Sequence, residues 1–187
     1  MDMNRVYLDL AQTYLPNAII VIDKFHVVRY ASWALENVRK RVQRELHPAE
    51  RKYFKRSRRL LLTRKSKLKP ESLDALAIML QYSTDLATAY YLKELFYAFI
   101  SSKNRQEATQ NLEKFIFTAE VSELREFDAC LTMLSNWKPY ILNAFDCSYT
   151  NGYTEGTNNA IKVIKRNAFG YQNFHNFRNR IFLALTE

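Results

Sequence analysis

The sequence predicts a mainly α-helical protein with one buried strand. Gly occurs 3 times and Pro 4 times in 187 residues, so the chain offers few of the tight turns that a β-sandwich or barrel needs. Apolar residues recur at helical spacing through most of the chain. The exception is an unbroken β-branched run at residues 18–23, which is typical of a strand buried on both faces in a mostly parallel sheet.

Composition and charge indicate the partner. The net charge is +9 and the isoelectric point is about 9.5, which favours a polyanion, and nucleic acid is the commonest one. Charge alone does not exclude an acidic protein or a membrane surface as the partner. Cys130 and Cys147 have no spacing to His or Cys that suggests zinc, and a reduced cytoplasmic chain is the simplest account. No apolar run has membrane-spanning length and no secretory leader is seen, so no membrane partner is expected.

The first elements are a helix at residues 4–14, which Pro16-Asn17 ends, and the strand at 18–23. Asp23 stands at the carboxyl end of that strand, where α/β sheets place their chemistry. A buried strand needs hydrogen-bond partners on both edges. We therefore expect the rest of the sheet on polypeptide absent from this sequence, and we expect the strand to pair with a second copy of the chain as a homodimer.

A basic segment covers residues 39–69, beginning within a long helix predicted from Phe25 to about Glu45. Fourteen of the 28 Lys and Arg residues lie in this segment, against two acidic residues. Tyr53 and Phe54 are interleaved with the cations, so the segment suits phosphate-backbone binding with base stacking. The ordinary alternative is a solvated segment whose charges only keep the protein soluble.

Helices fill the remainder of the chain. They are predicted at 70–80, 84–99, 105–118, 123–135, 138–145 and from Asn173 to 185, and their apolar stripes are core positions rather than a cofactor site. Gly170 is expected at a left-handed cap position before the last helix. His175, in the first turn of that helix, is more typical of a packing or capping residue than of a ligand.

Residues 148–166 combine an Asn-Gly turn with a helix that begins near Glu155. Its apolar positions share one face, and Lys162, Lys165 and Arg166 lie on the other side. A carboxylate at the mouth of a basic helix suits a metal ion and a phosphate backbone. The ordinary alternative is that Glu155 only complements the helix dipole or a cap, and that the cations are solvated.

Three carboxylates stand at the ends of elements: Asp2, Asp23 and Glu155. Phosphodiester cleavage is well served by two Mg²⁺ ions about 3.5 to 4 Å apart, and such hard ions require carboxylates from separate elements that converge on one point. These three residues are therefore the candidates for metal-dependent chemistry.

Several motifs, taken in order, resemble the C-terminal part of bacterial insertion-sequence transposases of the ISL three group, and the resemblance runs from end to end of the chain. The motifs are Asp2 with Tyr7 and Pro16-Asn17-Ala18, the run from Val21 to Arg29, Asn151-Gly152 through Glu155-Gly156, Asn158-Asn159, Ile161-Lys162, Ile164-Lys165-Arg166, Phe169-Gly170-Tyr171 and Asn173-Phe174. The family is similar to ribonuclease H-like DDE transposases. In these an all-helical insertion separates the fifth strand from the helix that bears the third carboxylate.

The resemblance implies three regions. Residues 1–45 would form a partial ribonuclease H-like core of helix, strand and helix, with the strand at 18–23. Residues 46–147 would be the large all-α insertion, joined by the basic segment 39–69. Residues 148–187 would be C-terminal core helices that carry Glu155.

The resemblance also implies roles for single residues. Asp2 and Glu155 would be the second and third metal-binding carboxylates, for Mg²⁺ or Mn²⁺ in a completed site. Asp23 and His26 resemble an Asp-x-x-His signature after the fifth strand. His26 would orient Asp23 or touch DNA; the alternative is a half-buried packing residue. The expected DNA-binding residues are Arg39, Lys40, Arg41, Arg44, Lys52, Lys55, Arg56, Arg58, Arg59, Lys162, Lys165 and Arg166.

The chain departs from the family pattern at its start. The first catalytic Asp and the N-terminal DNA-recognition region have no counterpart here, so we expect a bacterial, cytoplasmic and nucleoid-associated fragment that binds no metal and does not transpose DNA by itself. One alternative is a non-catalytic basic module that binds DNA or regulates an intact transposase. Another is a metal nuclease that uses Asp23 and Glu155 alone.

Overall fold

The computed structural model describes residues 1–56, 58–147 and 152–185, apart from the side chains of Tyr53, Lys55 and Arg56. The chain divides into two compact units, Met1–Ser148 and Tyr149–Glu187. Most of the Asn-Gly turn predicted before Glu155 lies outside the described residues. Within these ranges the backbone is helical or irregular, and the mainly α prediction is confirmed.

Ten α-helices are described in these ranges, with short 3₁₀ turns at Lys65–Lys67, Arg125–Phe127 and Asn143–Phe145. The helices are α1 (Arg5–Tyr14), α2 (Lys24–Glu45), α3 (Pro48–Arg56), α4 (Arg58–Leu62), α5 (Pro70–Gln81), α6 (Thr84–Ile100), α7 (Arg105–Val121), α8 (Asp128–Leu142), α9 (Gly152–Asn167) and α10 (Phe174–Leu185).

Side-chain caps explain where several helices begin. Asp23 accepts a hydrogen bond from the Phe25 amide at 2.8 Å, and Ser83 accepts one from the Leu86 amide at 3.3 Å. The Asn104 side chain accepts from the Glu107 amide at 2.9 Å. Each cap satisfies one of the amide donors that the first helical turn leaves without an intrahelical partner. The residues just before the first turn therefore determine where α2, α6 and α7 begin.

The prediction of two helices at 123–135 and 138–145 is wrong. Residues 128–142 form the single helix α8, with Pro139 inside it. Proline in a helix interior costs about 3 kcal/mol. The apolar stripe nevertheless continues past it, since Trp137 and Ile141 are both buried, and each large buried side chain contributes about 1.5 to 3 kcal/mol. Burial therefore outweighs the lost hydrogen bond.

The strand predicted at residues 18–23 is also wrong, because no β-strand occurs in the described ranges. The segment is extended but packs by one side only: Ile22 is fully buried while Ile19 is 80% exposed. Its backbone bonds to α8 and the turn that follows, with the Ile22 amide donating to the Tyr140 carbonyl and the Asn143 side chain donating to the Ile20 carbonyl. These contacts within the chain occupy several of the backbone hydrogen-bonding groups of residues 18–23. The structure therefore gives no support to the expected homodimer through this segment.

One feature of sheet geometry does remain in this segment. The Met1 amino group donates to the Val21 carbonyl at 2.7 Å, and the Asp23 amide donates to the Met1 carbonyl at 3.2 Å. This reciprocal pair is the hydrogen-bond pattern of two parallel strands, with Met1 opposite Ile22. It fixes Met1, and with it Asp2, beside the start of α2.

The core of the first unit lies between α2, α6, α7 and α8. Helix α2 packs on α6 and α8, and α6 packs on α7. The Phe96 ring meets Phe99 and Phe115 edge to face, with ring centroids 5.6 and 4.8 Å apart. Such pairs contribute about 0.5 to 1.5 kcal/mol beyond their area burial. This aromatic centre gives α2 a rigid support on one face and leaves its other face to the solvent.

The second unit contains α9 and α10, and none of the described residues 152–185 is buried. Helix α9 ends in a Schellman arrangement in which the Gly170 amide donates to Lys165 and the Phe169 amide donates to Arg166. The positive φ predicted at Gly170 is observed, at 100°, and extends to Phe169 at 52°. Tyr171 stacks on Phe177 with ring centroids 4.9 Å apart, which closes the turn into α10.

Candidate functional site

Two of the predicted site residues meet at the start of α2. The His26 Nε2 atom lies 3.0 Å from the Asp2 Oδ1 atom, and the Asp2 side chain is 53% exposed while that of His26 is 26% exposed. The Asp23 Oδ1 atom caps α2 by accepting from the Phe25 amide, and the His26 ring nitrogen lies against Asp2 rather than orienting Asp23 as predicted from the sequence. The cap fixes the first turn of the helix, and that turn carries the imidazole to Asp2.

A cleft of about 190 Å³ opens beside this pair. Further along α2, Arg29 lies over the Trp33 ring at 4.7 Å from its centroid, and Tyr30 approaches Trp33 with centroids 5.7 Å apart. The residues that line the cleft are Asp2, Met3, His26, Arg29, Tyr30 and Trp33. Sequence reasoning missed the last three, although their spacing from His26 places them on one helical face.

The side chains around Asp2 offer a divalent metal ion few ligands. Two-metal phosphoryl transfer needs several oxygen ligands that converge on one point. Among the described residues no group of three or more His, Cys, Asp or Glu side chains could hold an ion. The described residues therefore do not form a complete metal site, and Asp2 contributes one hard oxygen donor with an imidazole beside it.

Glu155 lies in the first turn of α9 and is exposed. Its position near a helix N-terminus is favourable for a carboxylate. Lys162, Lys165 and Arg166 are exposed as well, while Ala160, Ile161 and Ile164 are half-buried on the face toward α10. The predicted apolar face is thus observed at Ala160, Ile161 and Ile164, but Val163, which was predicted to share it, is 41% exposed.

The structure divides the predicted DNA-binding residues of the basic segment into two groups. Arg39 is 5% exposed and donates two hydrogen bonds of 2.8 Å to Glu36, so little of its surface is left for a phosphate. Arg41 donates to Glu126 at 2.7 Å and to Asp85 at 2.8 Å. These carboxylates raise the pKa of Arg41 further above its ordinary value.

The second group is exposed. Its members in the first unit are Lys40, Arg44, Lys52, Arg58 and Arg59. Arg58 also pairs with Glu36 at 3.1 Å. Burial by itself would raise the pKa of Glu36, but the hydrogen bonds and charges of Arg39 and Arg58 outweigh it and hold that pKa below its ordinary value. The side chains of Lys55 and Arg56 lie outside the described residues.

A buried lysine anchors the basic segment, and sequence reasoning missed it. Lys93 is 1% exposed, and its ammonium donates to the carbonyls of Leu61 and Thr63 at 2.8 and 2.7 Å. It pairs with Glu94 at 2.7 Å, and burial lowers its pKa. The sequence signal that could have identified it is its spacing, because Lys93 lies on the same helical face of α6 as the apolar residues Ala89 and Phe96. Lys93 satisfies carbonyls at the end of α4 that the helix itself leaves open.

No described helix is long and apolar enough to span a membrane. The fold and the site define a basic helical protein with an Asp2–His26 pair at the mouth of a cleft. The comparisons with known proteins are more specific.

A family model described as "Transposase", for DDE enzymes of the ISL3 group, matches residues 1–181. The chain belongs to this transposase family. It is 31% identical over 188 residues to the transposase for insertion sequence element IS1001 of Bordetella parapertussis, with 98% of this chain and 46% of that protein covered. It is 28% identical to the transposase for insertion sequence element IS1557 of Mycobacterium tuberculosis, with 88% of this chain and 42% of that protein covered.

The chain spans less than half the length of these transposases. A stretch of 57 residues is 44% identical to a Lactococcus lactis protein named ATP-dependent protease, covering 30% of this chain and 18% of that protein. So short a share of both proteins carries no argument about function. No solved structure matches the chain.

Proposed function

We propose that these 187 residues are the C-terminal part of a DDE transposase that holds DNA for metal-dependent phosphoryl transfer, and that by themselves they do not cleave DNA. The observation that carries the proposal is the 3.0 Å contact between Asp2 and His26. Twenty-four positions separate these residues in sequence, and both belong to motifs that resemble those of the family. Inactivity of the chain alone is part of the proposal, and a plasmid-cleavage assay tests it.

Each site residue has a separate role in this proposal. Asp2 and Glu155 are the carboxylates that a divalent ion, Mg²⁺ or Mn²⁺, would take in a completed site. Such an ion supplies positive charge at the transferring phosphate. His26 holds Asp2 in one orientation through the 3.0 Å contact with its Oδ1 atom. Asp23 acts on the site only through the α2 cap.

DNA is held by the exposed cations. In the first unit these are Lys40, Arg44, Lys52, Arg58 and Arg59, and in the second unit they are Lys162, Lys165 and Arg166. Arg39 is left out because it is buried against Glu36, and Arg41 is left out because two carboxylates bind its guanidinium group. Arg58 also pairs with Glu36, but it is kept because its side chain is 58% exposed. Lys55 and Arg56 are kept from the sequence alone. Nucleoid association would follow from the same charge.

The architecture proposed for this part is a partial ribonuclease H-like core. The parallel hydrogen-bond pattern between Met1 and Ile22 supports it, since that pattern places Asp2 and Asp23 at the same end of two neighbouring extended segments. Residues 46–147 would then be the helical insertion, and residues 148–187 would be the C-terminal core helices that carry Glu155.

The first experiment measures binding and cleavage with the same preparation. We expect mixed-sequence duplex DNA to be retarded in gels, with binding that weakens as salt is added, and supercoiled plasmid to stay intact in Mg²⁺ or Mn²⁺. Nicking that is lost in both Asp2→Asn and Glu155→Gln would show that the chain is active alone. Absence of duplex binding at physiological salt would refute the DNA-handling function itself.

The alternative is a non-catalytic module that binds DNA or regulates an intact transposase, for which the exposed cations would serve equally well. Both proposals predict that Asp2→Asn and Glu155→Gln leave the effect of the separate chain on an active transposase unchanged. They differ in a chimera that carries this chain as the C-terminal part of an active transposase of the family. The main proposal predicts that either variant abolishes strand transfer by the chimera, whereas an active chimera that keeps its activity in both variants supports the alternative.

A further inference from the structure

We propose that the cleft beside Asp2 is a nucleobase subsite, which takes one unpaired nucleotide of the DNA strand next to the Asp2 carboxylate. This inference rests on the proposed DNA-handling function and adds the chemical class of the group bound there. The base would stack on Trp33, and its phosphate would bind Arg29.

The cleft is built on one face of α2. His26, Arg29, Tyr30 and Trp33 follow one another at spacings of three, four and seven residues from the first, which is the repeat of a single helical face. Asp2 closes one end of this face through its 3.0 Å contact with His26. The aromatic surface and the carboxylate are therefore neighbours in one cleft.

The aromatic lining has room for a partner. Trp33 is 50% exposed, although a large aromatic side chain is usually well buried in a protein of this size. Tyr30 meets it in a tilted arrangement, with centroids 5.7 Å apart, so a stacked pair of the two rings is not formed. Stacking of a nucleobase on an aromatic ring contributes about 1 to 3 kcal/mol and works with every base.

The charge beside the ring fits a nucleotide. The Arg29 guanidinium lies 4.7 Å from the Trp33 ring centroid, and within the described part of the chain no carboxylate forms an ion pair with it. Its donors can therefore bind a phosphate in the two-pronged geometry that suits arginine. A cation directly beside an aromatic surface matches a phosphate joined to a base better than it matches an apolar peptide.

The bound nucleotide has to be unpaired. In a duplex the faces of each base are covered by the neighbouring base pairs, and a protein reaches them only when the base leaves the stack. The cleft has a volume of about 190 Å³ and is lined by one face of α2 together with Asp2 and Met3, so it is far too small to enclose a duplex. The subsite thus predicts a preference for single-stranded over double-stranded DNA at this end of α2.

The experiment uses tryptophan emission and a labelled oligonucleotide with the whole chain. The sequence contains two tryptophans, Trp33 in the cleft and Trp137, which is 9% exposed. We expect a short oligothymidine strand to quench the emission of the unmodified protein and of Trp137→Phe, and to leave that of Trp33→Phe unchanged. The matched duplex should not quench any of the three.

Affinity is measured in parallel by fluorescence anisotropy of the labelled strand. This measurement does not use the Trp137→Phe variant, so it remains valid if that variant does not fold. We expect Trp33→Ala and Arg29→Gln each to weaken single-strand binding about tenfold, in line with the stacking of one base, and to leave duplex binding unchanged. The matched control is Tyr91→Ala, an aromatic residue on α6 that is 49% exposed and should bind as the unmodified chain does. Circular dichroism confirms that each variant is helical.

The outcomes separate the two proposals. If Trp33→Ala binds the single strand as tightly as the unmodified chain, or weakens it no more than Tyr91→Ala does, the subsite is refuted while duplex binding still supports the DNA-handling function. If neither DNA form binds at physiological salt, the function itself fails and the subsite fails with it.

Discussion

The sharpest prediction concerns the salt dependence of DNA binding. Lys40 and Arg44 are one helical turn apart on α2 and exposed, and no ion pair involves either of them within the ranges that the structure describes. Each phosphate contact adds about 0.9 to the slope of log affinity against log salt concentration. If both cations contact phosphates, the variant Lys40→Gln/Arg44→Gln should lose about 1.8 from this slope. Over a fourfold increase in salt, its affinity should then fall roughly 12-fold less than that of the unmodified chain.

The assay is fluorescence anisotropy of a labelled mixed-sequence duplex between about 50 and 200 mM salt. The control variant Lys103→Gln/Lys114→Gln removes the same charge from exposed positions at and near α7, outside the basic segment. We expect its slope to match that of the unmodified chain. If the two double variants reduce the slope equally, binding depends on net charge alone, and the assignment of a DNA-binding surface to the basic segment is refuted.

Three further predictions concern stability, each measured by denaturant unfolding. Glu36→Gln should lower the free energy of unfolding by about 3 kcal/mol, because the buried Arg39 charge loses its carboxylate and keeps only neutral acceptors such as Gln43. The carboxylate has a lowered folded pKa, so its contribution is present above its ordinary value of 4.5 and is lost as the pH falls through the folded pKa. The free energy of unfolding of the variant should therefore fall less steeply at acid pH than that of the unmodified chain. An equal pH dependence of the two would contradict this ion pair. Lys93→Met should cost about 2 kcal/mol, because two buried carbonyls lose their donor, and an unchanged midpoint would show that water replaces it. Ile22→Ala should cost about 2 to 5 kcal/mol, whereas Ile19→Ala, at an exposed position, should change stability by less than about 0.5 kcal/mol; equal effects would refute the one-sided packing of residues 18–23.

The helices could be predicted because their causes are local. Apolar spacing and caps such as Ser83 and Asn104 act within a few residues, and the predicted limits of α1, α2, α5, α6, α7 and α10 agree with the structure to within a few positions. Pro139 shows where local rules stop. Its effect on α8 depends on what the helix buries against the rest of the core, and no window of sequence contains that information.

The residues 18–23 were predicted as a strand because β-branched runs are usually found in sheets. A strand also needs partners, which the described residues supply only at Met1, so the run became an extended segment held by α8. The basic segment presents a similar limit. Composition shows fourteen cations, but the ion pairs that occupy Arg39 and Arg41 depend on Glu36, Asp85 and Glu126, and only the packing of α2 against its neighbours brings the last two to Arg41.

The site residues were named from sequence, but their contact was not predicted. His26 was expected to orient Asp23 or to touch DNA, whereas it lies against Asp2, and the roles assigned to these residues stay predictions. Trp33 and Arg29 were passed over, because an aromatic and a cation four residues apart occur on many helices. Their placement in one cleft with Asp2 became evident only once residues 1–23 were positioned beside α2.

Because Lys93 anchors the basic segment, the segment takes up its structure only when the rest of the first unit is folded. Helix α4 has five residues, far fewer than an isolated helix needs in water, and its last carbonyls are held by an ammonium group from α6. Lys65 is tied in the same way, through its amide to Glu94 at 3.0 Å. A synthetic peptide of residues 58–69 would therefore be a random coil, and the arrangement of charges offered to a phosphate backbone is acquired together with the tertiary structure.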